Sequence, residues 1–265
     1  MSSVTSRIKQ IKQPRGGYVP PRTLAAEQFG ELPPHPTDVE NVHASIVGSV
    51  VDYLTRFIQT GDASKAFHIS TMGAMRIANA GVDQLAYDDA LYYVGRIDAS
   101  LDAVTIDSAC KLAGYDVGYR SQLMYYKPVD DISPNPETIE NIRAMVKSAV
   151  AFHEAYGPVI AEGICFPDGY TDLVTSGDLD FITDDAVWDF KVSKTKPTKE
   201  HTLQLFMYYL MGRHCAYAPH FDDMTRVGIY NPRLATVFTR EIADIDPAVL
   251  HEIETDVIGY ADPIY

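Results

Sequence analysis

Along the stretch Val187–Val192, Trp188, Phe190 and Val192 alternate with Val187, Asp189 and Lys191, the period of a β-strand. One face of that strand is apolar and packs on a core; the other carries a carboxylate and an ammonium two residues apart. Leu179 and Phe181 alternate with Asp178 and Asp180 in the same way, and Asp184-Asp185 reads as a two-residue turn between the runs. The pattern predicts strands over Leu173–Ile182 and Ala186–Ser193. Pairing about that turn sets Asp180 opposite Asp189 and Asp178 opposite Lys191. Facing carboxylates about 5 Å apart repel unless a cation sits between them, and Asp oxygens suit Mg²⁺ or Mn²⁺.

Elsewhere the apolar spacing is that of helices followed by mixed α/β structure. Thr37 or Asp38 caps a helix to about Gln59, with Ile46, Val47, Val50, Val51, Leu54, Phe57 and Ile58 as its stripe and His43 at the stripe's edge. Further helices are predicted over Ala63–Ala80, about Gln84–Val94, from Ser100 or Asp102 to Leu112, and over Glu137–Tyr156. A strand over Val159–Phe166 precedes the hairpin. A helix capped by Thr198 runs to Met211, strands follow over Arg226–Tyr230 and Ala235–Glu241, and a helix over Pro247–Ile258 comes last. Residues 1–36, rich in Pro, Gly and basic side chains, read as an extended arm. The remainder, 37–265, reads as one domain with a helical part at 37–157 and an α/β part at 158–265.

Composition narrows the class. The hydrophobic share of 46% and charged share of 22% are those of a globular protein. No apolar run is long enough to span a membrane, and three scattered Cys suit a reducing cytoplasm rather than a disulfide framework. The formal net charge of −14 weighs against nucleic-acid binding, although the local field matters more than the sum. Two basic segments stand out: Arg7 to Arg15, continuing to Arg22, and Lys191, Lys194, Lys196 and Lys199 directly after the carboxylates. Each is either a solvated surface or a path for a phosphate backbone. Tyrosine pairs such as Tyr92-Tyr93 are packing groups before they are base-stacking groups. Glycine-rich phosphate loops, a nucleophile elbow, a His-Glu-x-x-His helix, zinc fingers and helix-turn-helix signals are all missing from the sequence.

Gly177-x-x-Asp180, then Asp189-x-Lys191, then Gln204-x-x-x-Tyr208, in that order on strand, strand and helix, resembles the PD-(D/E)xK nuclease superfamily, in its RecB-like branch. His43, on a helix upstream, resembles the His-bearing motif of that branch. The resemblance implies a restriction-endonuclease-like αβββαβ core with a helical N-terminal half, and Mg²⁺- or Mn²⁺-dependent hydrolysis of DNA phosphodiesters. It implies Asp180, Asp189, the Phe190 carbonyl and His43 as metal ligands, with Glu162 a further candidate and Asp178 the fallback for Asp180. Lys191 then orients the attacking water and offsets developing charge, while Gln204 and Tyr208 bond phosphate or order Lys191. Lys194, Lys196, Lys199 and Arg15 are the candidate DNA contacts. Several RecB-like enzymes hold an iron–sulfur cluster with four Cys; with only Cys110, Cys165 and Cys215, widely separated, that cluster is not expected here. An exonuclease in DNA repair, recombination or phage biology is the first reading. The second is a binding subunit, silent or partner-activated, that docks on a helicase, an annealing protein or its own copy. RNA as substrate stays open.

Overall fold

The N-terminal segment folds where the sequence suggested an extended arm. The structure, a computed structural model, describes residues 2–265. Ser3 caps helix α1 (Val4–Gln10) by accepting from the Ser6 N–H, and Val4 and Ile8, one turn apart, are buried. Strand β1 (Ala25–Gln28) follows; all its side chains are exposed, so no alternation marks it.

Next come α2 (Ala44–Thr60), α3 (Ala63–Ala66), α4 (His68–Asn79), α5 (Ala86–Val94), α6 (Ala103–Gly114), α7 (Asp116–Arg120) and α8 (Pro136–Tyr156). The helix expected from residue 37 starts at Ala44, because Thr37–Val39 closes as a separate 3-10 turn. The one expected over Ala63–Ala80 breaks at Phe67, a fully buried side chain. Strands β2 (Ala161–Ile164), β3 (Leu179–Ile182) and β4 (Ala186–Phe190) precede α9 (Lys199–Arg213) and α10 (Ala218–Asp222). Strands β5 (Arg226–Asn231) and β6 (Thr236–Glu241) lead to α11 (Pro247–Glu252), which continues as a π-helical turn, Ile253–Ile258. Among the described residues no helix is long and apolar enough to cross a membrane.

The chain divides into two compact units rather than the single body expected for 37–265. Gly30–Ala151 and Val192–Lys194 form a helical unit; the residues up to Phe29, Phe152–Lys191 and Thr195–Tyr265 form an α/β unit. In the helical unit the buried Asp116 carboxylate accepts from Tyr53 OH and Ser70 Oγ, both at 2.7 Å, and so ties α2, α4 and α7 together. Burial still raises its pKa.

The α/β unit is organised by a six-stranded mixed sheet in the order β1-β6-β5-β4-β3-β2. β4 and β5 run parallel, joined by the connection that carries α9 and α10; every other pair is antiparallel. β4 is therefore central. Ala186, Val187, Trp188 and Asp189 are all buried, so neither face of this strand meets water along that run. This departs from the two-faced strand that the alternation suggested. On one face α9 covers Val187 and its neighbours, and α9 is itself enclosed by α1, α10 and the π-helical turn, which leaves most of its side chains buried. On the other face Phe29, Phe152, Tyr156, Phe181 and Tyr230 surround Trp188 or one another. Arg7 fastens the N-terminus to the last helical turn: its guanidinium donates to the carbonyls of Val257 and Asp256 at 2.8 and 2.9 Å.

Candidate active site

The hairpin holds the register that the turn arithmetic requires. Phe181 pairs with Trp188 and Ile182 with Val187. Continued by one residue, the register sets Asp180 opposite Asp189 on the face covered by α9. The Phe190 N–H donates to Asp180 Oδ2 at 2.6 Å, which orients that carboxylate. The Lys191 N–H turns to the Tyr230 carbonyl on β5 at 3.0 Å. Because the intervening peptide is planar and trans, the Phe190 carbonyl points the opposite way, toward β3 and Asp180.

Lys191 Nζ lies 2.9 Å from both oxygens of Asp189. Asp189 is only 2% exposed and lies within hydrogen-bonding reach of the Asp180 carboxylate. Two such carboxylates must share a proton or a cation. Burial holds the Asp189 pKa above the ordinary carboxylate value, even with Lys191 beside it. Burial alone would lower the Lys191 pKa, but the Asp189 and Asp180 charges outweigh it, and the net shift is upward. Lys191 is therefore an ammonium across the physiological range.

The Asp189 shift has a consequence for stability. An acid whose folded-state pKa exceeds its unfolded value subtracts stability as pH rises through that interval, and subtracts none below the unfolded value. Relative to the wild type, Asp189→Asn is expected to gain in melting temperature as pH rises from the ordinary Asp value of about 3.9 toward neutrality, on top of the constant cost of the Lys191 pairing it loses. That relative advantage should shrink as pH falls. Calorimetric melts across that range check it; an advantage that stays constant into acid would trace to packing, not to charge.

From above, α9 presents Gln204 and Tyr208. Gln204 Nε2 donates to Tyr208 OH at 3.1 Å, and Tyr208 is buried close to the acidic pair. Burial first, then the Asp189 and Asp180 charges, raise the tyrosine pKa and keep the phenol neutral. The α9 N-terminus is closed by a capping box between Thr198 and His201, with the Thr198 N–H donating to His201 Nδ1 at 3.2 Å. His201 sits near enough to Lys191 that burial and then the ammonium charge lower its pKa. The sequence showed it one turn before Gln204 but gave no reason to single it out. The capping-box spacing from Thr198 was the available signal.

Gly177, the glycine of the first motif, works by close approach. A Cβ there would lie 2.8 Å from Val4 Cγ2 and 3.3 Å from the Tyr208 ring. Helix α1 braces this segment, with the Val4 N–H donating to the Ser176 carbonyl at 2.9 Å. The basic N-terminal segment thus props the strand that delivers Asp180.

Two other candidates of the α/β unit, Glu162 and Asp178, stand apart from this cluster. Glu162 pairs with Phe181, so its side chain leaves the sheet on the aromatic face, opposite Asp180. Asp178 is exposed and accepts from Cys165 Sγ at 3.3 Å rather than from Lys191. His43 belongs to the helical unit, where it is the exposed N-cap of α2 and accepts from the Ser45 N–H at 3.3 Å. Lys194 and Lys196 are exposed and Lys199 is half-buried; a Cβ on Gly17 would lie 2.7 Å from Lys199 Cβ, which puts the Arg15–Gly17 turn against the start of α9. Arg15 itself is exposed. Cys110 and Cys215 are buried and Cys165 is exposed, all as free thiols.

The carboxylates of Asp180 and Asp189 converge, with the Phe190 carbonyl directed to the β3 side of its strand. Asp189 Oδ2 is buried and accepts no hydrogen bond, although the Lys191 ammonium lies beside it. A buried carboxylate facing a second carboxylate has the oxygen-donor chemistry that a small divalent cation takes. Among the described residues no three His, Cys, Asp or Glu side chains gather as a complete cage. No family model, curated protein or solved structure matches the chain.

Proposed function

We propose that the α/β unit is a divalent-metal-dependent phosphodiesterase acting on DNA, on a restriction-endonuclease-like αβββαβ core. Within this unit that core would draw on the end of α8 from Phe152, β2 to β4, α9 and β5. The observation that carries the reading is the buried Asp189 facing a second carboxylate, Asp180, with the Lys191 ammonium 2.9 Å from both Asp189 oxygens. Supporting it are the parallel β4–β5 pair spanned by α9 and the Gln204–Tyr208 pair on that helix.

In this reading Asp180, Asp189 and the Phe190 carbonyl hold Mg²⁺ or Mn²⁺, which supplies Lewis-acid activation of water and charge neutralisation. Lys191, fixed by Asp189, places its ammonium where a phosphoryl oxygen gains negative charge. Tyr208, neutral and bonded by Gln204, offers an O–H from the α9 side. The Phe190 N–H keeps the Asp180 carboxylate turned toward its partner. End-dependent action, as in an exonuclease, is the version that the family resemblance favours.

The test is a cleavage assay on linear duplex, single-stranded and closed circular DNA with Mg²⁺, Mn²⁺ or EDTA. Metal-dependent loss of linear DNA alone supports an exonuclease. Nicking of circles makes it an endonuclease. No cleavage by the folded protein with either metal counts against catalysis and shifts weight to a binding role.

A further inference from the structure

A cleft of about 590 Å³ opens at the β2 edge of the sheet. Ile182 forms part of it, two residues along β3 from Asp180 and on the same face, together with Ala161, which pairs with Ile182. Tyr170, Phe221 and Tyr217 supply aromatic walls. Cys165, on the lining, donates to Asp178, so the cleft runs up to the segment that carries the acidic pair.

Three features define what such a cleft takes. Neither Lys nor Arg is among its lining residues, so it does not hold a phosphate. Its volume lies within the range of small-ligand sites, about 300–1,000 Å³. Tyr217, on the lining, is 48% exposed, so its ring has surface left for a planar group to cover. Polar groups are few, chiefly Glu162 and His220, which suits a ligand with apolar faces and a polar edge.

We propose that this cleft receives one unstacked nucleobase of the bound strand, stacked against Tyr217, while that strand's phosphate lies at Asp180, Asp189 and Lys191. The inference rests on the phosphodiesterase reading. Two residues along a strand span about 7 Å, a distance comparable with that from a phosphate to the base it carries. Stacking is tolerant of base identity, so the cleft sets the position of the strand and not its sequence.

The experiment uses the full chain with Mg²⁺ and oligonucleotides in which single abasic sites are moved along the strand. Wild type, Tyr217→Ala and Tyr217→Phe are compared by kcat/KM, with binding followed by anisotropy in Ca²⁺. Tyr217→Ala should lose about tenfold in kcat/KM on normal strands, the scale of one base–aromatic stack, and Tyr217→Phe, which keeps the ring, should lose markedly less. One abasic position should cost the wild type the same factor and cost Tyr217→Ala nothing more. Cleavage in which no abasic position separates wild type from Tyr217→Ala overturns the base site and leaves the phosphodiesterase intact. Absence of both cleavage and binding in the wild type overturns the two together.

Discussion

Replacing Lys191 by alanine is expected to reduce metal-dependent DNA cleavage by about 10²–10³ in single-turnover rate, the loss seen when one preorganised donor to a developing charge is removed. Binding of the strand should change little, because the ammonium is aimed at a charge that grows in the transition state. The variant also leaves Asp189 facing Asp180 without its counter-charge. Breaking a fully buried pair costs about 3–5 kcal/mol; here the Lys191 side chain is 28% exposed, so the loss should be smaller. A melting curve must therefore accompany the assay. Saturating Mg²⁺ should restore much of the lost stability without restoring the rate, since a cation between the carboxylates replaces the charge but not the placed N–H donors. Cleavage within tenfold of the wild type by the folded variant would remove Lys191 from the chemistry.

Gly228→Ala is expected to destabilise the α/β unit by about 3 kcal/mol, at the upper end for overpacking. Gly228 pairs with Trp188, and a Cβ there would lie 2.2, 2.5 and 2.9 Å from three atoms of the indole. The ring has nowhere to go. It is fully buried, its Nε1–H donates to Thr183 Oγ1 at 3.0 Å, and Phe152 and Tyr156 lie 5.0 and 5.4 Å from its centroid. For a unit of this size the loss corresponds to a fall of about 10 °C in Tm. Trp188→Phe removes the crowding atoms, so the double variant should lose less than the sum of the two single changes. A Tm for Gly228→Ala within a degree or so of the wild type would show that the indole is free to move.

The hairpin was legible because Asp184-Asp185 fixes a turn, and a turn fixes which residues face each other. The αβ order and the helix carrying Gln204 and Tyr208 followed from the same kind of local pattern. What could not be read was burial. Asp189 alternates with apolar residues as a surface carboxylate would; only the parallel neighbour β5 and the cover of α9 bury it. Strand β1 has no apolar alternation, because its order comes from pairing with β6 more than two hundred positions later. Helix α1 is short and rich in basic residues, and what holds it is Ser176 and the far end of the chain. Glu162 lay on a predicted strand, but its face depended on a register with β3 that no turn specified.

The fastening of Arg7 to Val257, 250 positions apart, bears on how the protein is made. The segment bearing α1 and β1 is synthesised long before α9, β6 and the π-helical turn that it needs. The helical unit draws almost all its residues from one continuous stretch, 30–151, and can complete its contacts while translation continues. The N-terminal segment must wait, unpaired, until the far end arrives. Closure of the α/β unit rests on long-range pairing, which forms more slowly than local helix contacts. In that interval the early segment is open to proteases and to chaperones, and a bulky N-terminal fusion would delay the latch.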